Sequence, residues 1–134
     1  MKKDIPFLPV KDVKVAVVRK LNEEGSFDWF VYLLNTNTVS IKNVFVTSDG
    51  YGYMNDEMRR TSTLRHFLGD VEAGEAAVIE PIHPSVFGLT SEYWVSYFID
   101  NQIYDKRFIF VPDSIVEENL SYISQLNMNG VLHE

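Results

Sequence analysis

The 134-residue chain contains no cysteine. That excludes a disulfide framework, a thiolate metal site and a cysteine nucleophile together. No apolar run approaches the ~18 residues that a membrane-spanning helix requires. The opening "MKKDIPFLPVKDVKV" is broken by Asp4, Pro6 and Pro9 before an apolar core of signal-peptide length can form. A cytoplasmic protein without membrane contact is the expectation. Positive charge is scarce: 12 Lys and Arg stand against 19 Asp and Glu, a net charge of −7. No basic cluster is larger than a pair such as Arg59-Arg60, so phosphate backbones are repelled and nucleic acid is not an expected partner. G-x-S-x-G, P-loop and G-x-G-x-x-G patterns are missing. His66, His83 and His133 form neither H-x-x-x-H nor H-E-x-x-H, and "HPS" at 83 to 85 has the look of a His-Pro turn. The sequence therefore predicts no catalytic residue, no metal and no cofactor.

Apolar and aromatic residues are plentiful. A hydrophobic fraction of 46% with 23% charged residues is that of a globular domain. Segments rich in β-branched and aromatic residues recur at 13 to 19, 27 to 34, 41 to 48, 62 to 68, 76 to 82, 92 to 99 and 103 to 111. Gly, Asn, Asp and Ser punctuate the gaps between them. Short strands without helical crossovers predict an all-β, seven-stranded antiparallel sandwich. "FDWFVYLL" (27 to 34) is apolar on both alternating sets, so something beyond the opposing sheet must cover one of them. Only the tail changes period: Ile115, Val116, Leu120, Ile123 and Leu126 fall on one helical stripe. Ser114 and Glu117 have capping-box spacing, and "NG" at 129 and 130 is a stop signal. The expected organisation is one domain, with an N-terminal arm over 1 to 12, a sandwich over 13 to 111 and a short C-terminal α-helix over 114 to 127.

Three stretches, "VYLLNTNTVSIKNVFV", "FLGDVEAGEAAVI" and "GLTSEYWVSY", resemble strands and turns of bacterial immunoglobulin-like and fibronectin type III domains. The resemblance spans roughly residues 13 to 111. It implies an immunoglobulin-like sandwich and brings no catalytic residues with it. It also implies a tyrosine corner at Tyr93, with the ring in the core and the hydroxyl on a backbone group a few residues upstream. The chain departs from antibody-type domains in lacking both sandwich cysteines.

A two-residue turn at "DNQI" or "IDNQ" would pair odd positions of one strand with even positions of the next. Tyr93, Val95, Tyr97 and Ile99 then share a core-facing side with Tyr104, Lys106, Phe108 and Phe110. The opposite side carries Trp94 and Phe98 beside Arg107 and Ile109, a mixed aromatic and charged surface of the kind enriched at protein interfaces. Unless the predicted C-terminal helix covers it, it is a candidate interaction surface. "SDGYGYMNDEMRR" (48 to 60) reads as a loop, with Tyr51 and Tyr53 as stacking faces for a ligand such as a sugar and Asp56 beside them. Asp49, Asp56 and Glu57 lack calcium-loop spacing. Taken together, these features predict a non-catalytic protein-interaction or assembly module, a homodimer in particular. A small-ligand module using the 48 to 60 segment is the alternative, and an enzyme with an unrecognised site is the third possibility.

Overall fold

A computed structural model describes residues 8 to 9 and 11 to 134. The expected arm over 1 to 12 falls largely outside the described residues. Its described part includes β1 (Leu8–Pro9), which pairs in parallel with Tyr104 and Asp105. Among the described residues the fold is all-β and contains no α-helix. The strands are β2 (Val13–Leu21), β3 (Phe27–Asn35), β4 (Ile41–Met54), β5 (Glu57–Arg60), β6 (Leu64–Val71), β7 (Ala76–Pro81), β8 (Thr90–Ile99), β9 (Gln102–Phe110), β10 (Ser121–Ile123) and β11 (Met128–His133). All seven expected strands are present, but the count of seven is too low: among the described residues β1, β5, β10 and β11 are additional.

The strands form two facing sheets. Sheet A has the order β1-β9-β8-β4, with β5 and β6 sharing the far side of β4. Sheet B has the order β10-β11-β2-β3-β7. Alternation along the strands fills the space between them. Val15, Val17, Val31 and Leu33 of sheet B meet Val44, Val46, Tyr93, Val95, Tyr97 and Phe108 of sheet A, all essentially without solvent contact. Trp29 is only partly buried, edge-on to Phe87 with ring centroids 5.0 Å apart.

Turn chemistry sets the register. Asp100 and Asn101 connect β8 to β9 with φ of 48° and 65°. A two-residue type I′ turn demands such positive φ values, and Asn and Asp tolerate them. Tyr93 pairs with Phe108 and Trp94 with Arg107, as the odd-even rule requires. Asn55 and Asp56, at 54° and 62°, connect β4 to β5 in the same way, so 48 to 60 is a hairpin and not a loop. Asn35 is fully buried and ties the β6–β7 turn to β3. Its Nδ2 lies within 3.1 Å of the carbonyls of Val39, Val71 and Glu72, while Oδ1 accepts from the Asn37 amide.

The expected C-terminal helix is replaced by a single 3-10 turn (Glu117–Asn119) followed by the β10–β11 hairpin. Ser114 does not cap: its hydroxyl donates to the Val111 carbonyl. Glu117, meant for the capping box, makes a bidentate pair with Arg19 at 2.8 and 2.9 Å. The "NG" stop lies inside β11, where Gly130 opposes Val18. The physical reason is the outer edge of β2, whose backbone groups need partners. β11 supplies them from Val15 to Arg19. The same hairpin covers the second apolar face of β3. Ile123, Leu126, Met128 and Leu132 pack with Ala16, Val18 and Leu34 and with Phe30 and Tyr32.

Candidate functional site

Strand alternation turns one set of side chains of β9, β8, β4 and β6 away from the core. On that outer face of sheet A, Trp94 lies beside Arg107 and Thr47, and Phe45 pairs directly with Phe67. Phe98 and Ile109 lie on the same face, since they share parity with Trp94 and Arg107. The four residues of the sequence-predicted surface are therefore brought together. The C-terminal segment, the alternative cover for this face, belongs to the other sheet. Phe45 and Phe67 join this surface and were missed. Their alternation was visible, but their placement opposite each other depends on which strands pair. Phe67 is 64% exposed, Trp94 47% and Phe45 38%.

Polar groups hold these rings in place. The Trp94 indole donates to Asp105 at 2.8 Å, and the Arg107 guanidinium lies 5.6 Å from its ring centre while pairing with Glu92. Arg60 pairs with Asp49 at 2.8 Å, and Lys42 with Asp70 at 3.5 Å.

The alternative ligand residues lie further along the same face. Tyr51 is engaged: its hydroxyl donates to Glu92 at 2.8 Å and Arg60 sits 5.4 Å above its ring. Hydrogen bonding to Glu92 raises the Tyr51 phenol above its ordinary pKa, with burial as a smaller cause. Tyr53 is well exposed, and Asp56 occupies the hairpin turn. The nearby carboxylates of Asp49 and Glu57 pair with Arg60 and Arg59. No cluster of three or more metal-ligating side chains occurs among the described residues. None of their helices is long and apolar enough to cross a membrane.

A second constellation lies between the sheets. The Glu80 side chain is only 13% exposed. Its Oε1 accepts from the Ser48 hydroxyl at 2.7 Å and lies 2.7 Å from Nε2 of His66, and its Oε2 accepts from the Tyr93 hydroxyl at 3.1 Å. Burial, with the Glu80 charge as a lesser cause, drives the Tyr93 phenol far above its ordinary pKa. Tyr93 thus enters the core as expected, but its hydroxyl reaches a carboxylate on the opposite sheet and not an upstream backbone group. A β-bulge explains why the sequence hid this cluster. Val31 opposes Glu80 while Tyr32 opposes Val78, so Ile79 is an inserted residue and Glu80 turns inward. Simple alternation from Ala77 would have turned it out. His83 caps the 3-10 turn Pro84–Val86 by accepting from the Ser85 amide, the structural role a His-Pro turn suggests.

Compared with known proteins, the chain matches no family model, no curated protein and no solved structure.

Proposed function

We propose that the chain is a non-catalytic interaction and assembly module of immunoglobulin-like type, and that the outer face of sheet A binds a second copy of the chain. Strand order supports the fold assignment. In immunoglobulin domains strands A, B and E face C, F and G. Here β2, β3 and β7 face β4, β8 and β9, with β6 beside β4.

The observation that carries the function is the exposed aromatic set Trp94, Phe45 and Phe67 on one sheet face. Aromatic patches of this kind on soluble proteins mark contacts, and Trp and Arg dominate interface energetics. Electrostatics favours a copy of the same chain. The face's acids and bases offset one another: Arg107 with Glu92, Arg60 with Asp49 and Lys42 with Asp70, with exposed Arg65 offsetting Asp105. The net −7 is thus carried elsewhere, and this is the face on which two equally acidic molecules approach without repulsion. Internal cover of β3 by the C-terminal hairpin removes that strand as a rival contact surface.

Sedimentation equilibrium tests the proposal. The wild-type chain should exceed the 15.5 kDa monomer mass as concentration rises, and Phe67→Lys and Trp94→Lys should each return it to that mass while remaining folded. A wild-type monomer at every concentration, or a dimer indifferent to both substitutions, would overturn it.

A further inference from the structure

Sheet A is interrupted on one side of β4, where β5 ends at Arg60 and β6 begins at Leu64. This gap opens a crevice of about 210 Å³ between the sheets, lined among others by Thr61, Ser62, Glu80, Ser91 and Tyr93. It is smaller than the ~300–1,000 Å³ typical of pockets for drug-sized ligands, so an occupant must be small.

Three features make it a polar site and not a packing defect. Glu80 brings a carboxylate into the space between the sheets, where its side chain is only 13% exposed, and desolvating that charge is costly beside an apolar side chain of similar volume. The carboxylate is also incompletely used. It has about four acceptor positions, of which Ser48 and His66 take the two on Oε1 and Tyr93 takes one on Oε2. Ser91, 5% exposed, lines the same crevice, and so does Asp49, whose Oδ1 is buried without a hydrogen-bond partner among the described residues. An inward strand position of this kind would be better filled by valine unless the hydroxyl meets something.

The lining also sets the sign of the ligand charge. Its acids are Asp49 and Glu80, and it includes no Lys or Arg. Asp49 is paired with Arg60 through Oδ2, so Glu80 is the lining carboxylate that has no Lys or Arg partner among the described residues. The molecule's net charge of −7 adds to the attraction for a cation. We propose that this crevice binds a small ligand through a primary ammonium group, with the charge against Glu80 and N–H donation to the open Oε2 position and to the Ser91 hydroxyl. The ammonium can belong to a free amine or to a lysine side chain of another protein; the recognition chemistry is the same.

The test is an amide chemical-shift titration of the full chain with three probes: ethylamine, its neutral counterpart ethanol, and a short peptide with one lysine. Ethylamine should saturably shift the Ser48, Ser91 and Tyr93 amides with a Kd on the order of millimolar, and ethanol should not. Ser91→Val keeps the strand and fills the crevice, and it should weaken ethylamine binding about tenfold or more, the loss expected for a hydrogen bond to a charged group. Glu80→Gln should do the same, with its fold checked by melting. A lysine peptide binding more tightly than ethylamine assigns the site to a protein side chain, and the reverse assigns it to a free amine. The proposal fails if ethylamine gives no saturable shift up to the order of tens of millimolar, if ethanol matches it, or if folded Ser91→Val binds as wild type does.

Discussion

Gly130 lies where β11 crosses closest to β2, and replacing it with alanine is the sharpest test of how the C-terminal hairpin is held. Its backbone conformation is not the obstacle, because its φ is not in the left-handed region. Space is the obstacle. A methyl group there would overlap the Val17 carbonyl oxygen and sit 2.6 Å from Val18 Cγ1 and 2.9 Å from Val18 Cα. Two of those three atoms are backbone, so a rotamer change cannot relieve the clash and the strands must separate. Separation weakens the pairing from Arg19 to Val15 and lifts Ile123 and Leu132 from Val18, Ala16 and Leu34. Overpacking costs about 1–3 kcal/mol, and partial exposure of a buried Val or Ile adds up to about 1.5–3 kcal/mol. Against this, alanine stabilises by about 0.4–1 kcal/mol through a less disordered unfolded chain. The expected net loss is about 2–4 kcal/mol. That corresponds to a fall in Tm of roughly 6–16 °C for a domain of this size. Urea unfolding gives the energy, and hydrogen exchange at the Val15 to Arg19 amides locates the damage. Gly74→Ala is a useful comparison: its φ of 77° is strained for alanine but the space around it is open, so it should cost only about 1 kcal/mol. An unfolding midpoint for Gly130→Ala at or above wild type, with the β2 amides still protected, would refute the reasoning.

Asn35→Asp keeps the shape but sets a carboxylate against the carbonyls of Val39, Val71 and Glu72, and should cost about 3 kcal/mol in a urea melt; a loss below ~1 kcal/mol would contradict the assigned bonds. Burial pushes the Tyr97 phenol up to about 12, opposed in part by the Lys11 backbone, so the fold favours its protonated form. That stability is fully present below the unfolded value of 10.0 and is lost as pH rises through the folded value. Tyr97→Phe should therefore flatten the alkaline fall in stability between pH 10 and about 12, and a profile identical to wild type would count against this. The Arg19 guanidinium holds the Glu117 carboxyl below its ordinary 4.5, so this pair stabilises above that value and the benefit fades as pH falls through the lowered one. Glu117→Gln should be less stable than wild type at neutral pH, with the gap closing in acid; a pH-independent gap would point to some other cause.

Local chemistry made much of this molecule legible. The seven central strands follow from β-branched and aromatic runs between turn residues. The β8–β9 register follows from Asp100 and Asn101, whose positive φ values need no tertiary support beyond the hairpin itself. That register placed Trp94, Phe98, Arg107 and Ile109 on one face before the partner strands were known. The paired Phe45 and Phe67 required knowledge of which distant strands meet, because alternation says which face a side chain takes and nothing about its neighbour across the sheet. The inward turn of Glu80 depended on one inserted residue, Ile79, opposite β3; a bulge reverses the parity of everything beyond it and leaves no mark in composition. The C-terminal segment shows the strongest override. Its stripe of Ile115, Leu120 and Ile123 satisfies a helical period, and its own capping residues agree. Yet the exposed edge of β2 offers a row of backbone partners and an uncovered apolar face, and these are assembled only when the sandwich forms. Helix propensity amounts to tenths of a kcal/mol per residue, whereas pairing that edge and burying Val18, Leu34 and Ile123 amounts to several kcal/mol, so the tertiary structure decided the conformation of residues 114 to 133.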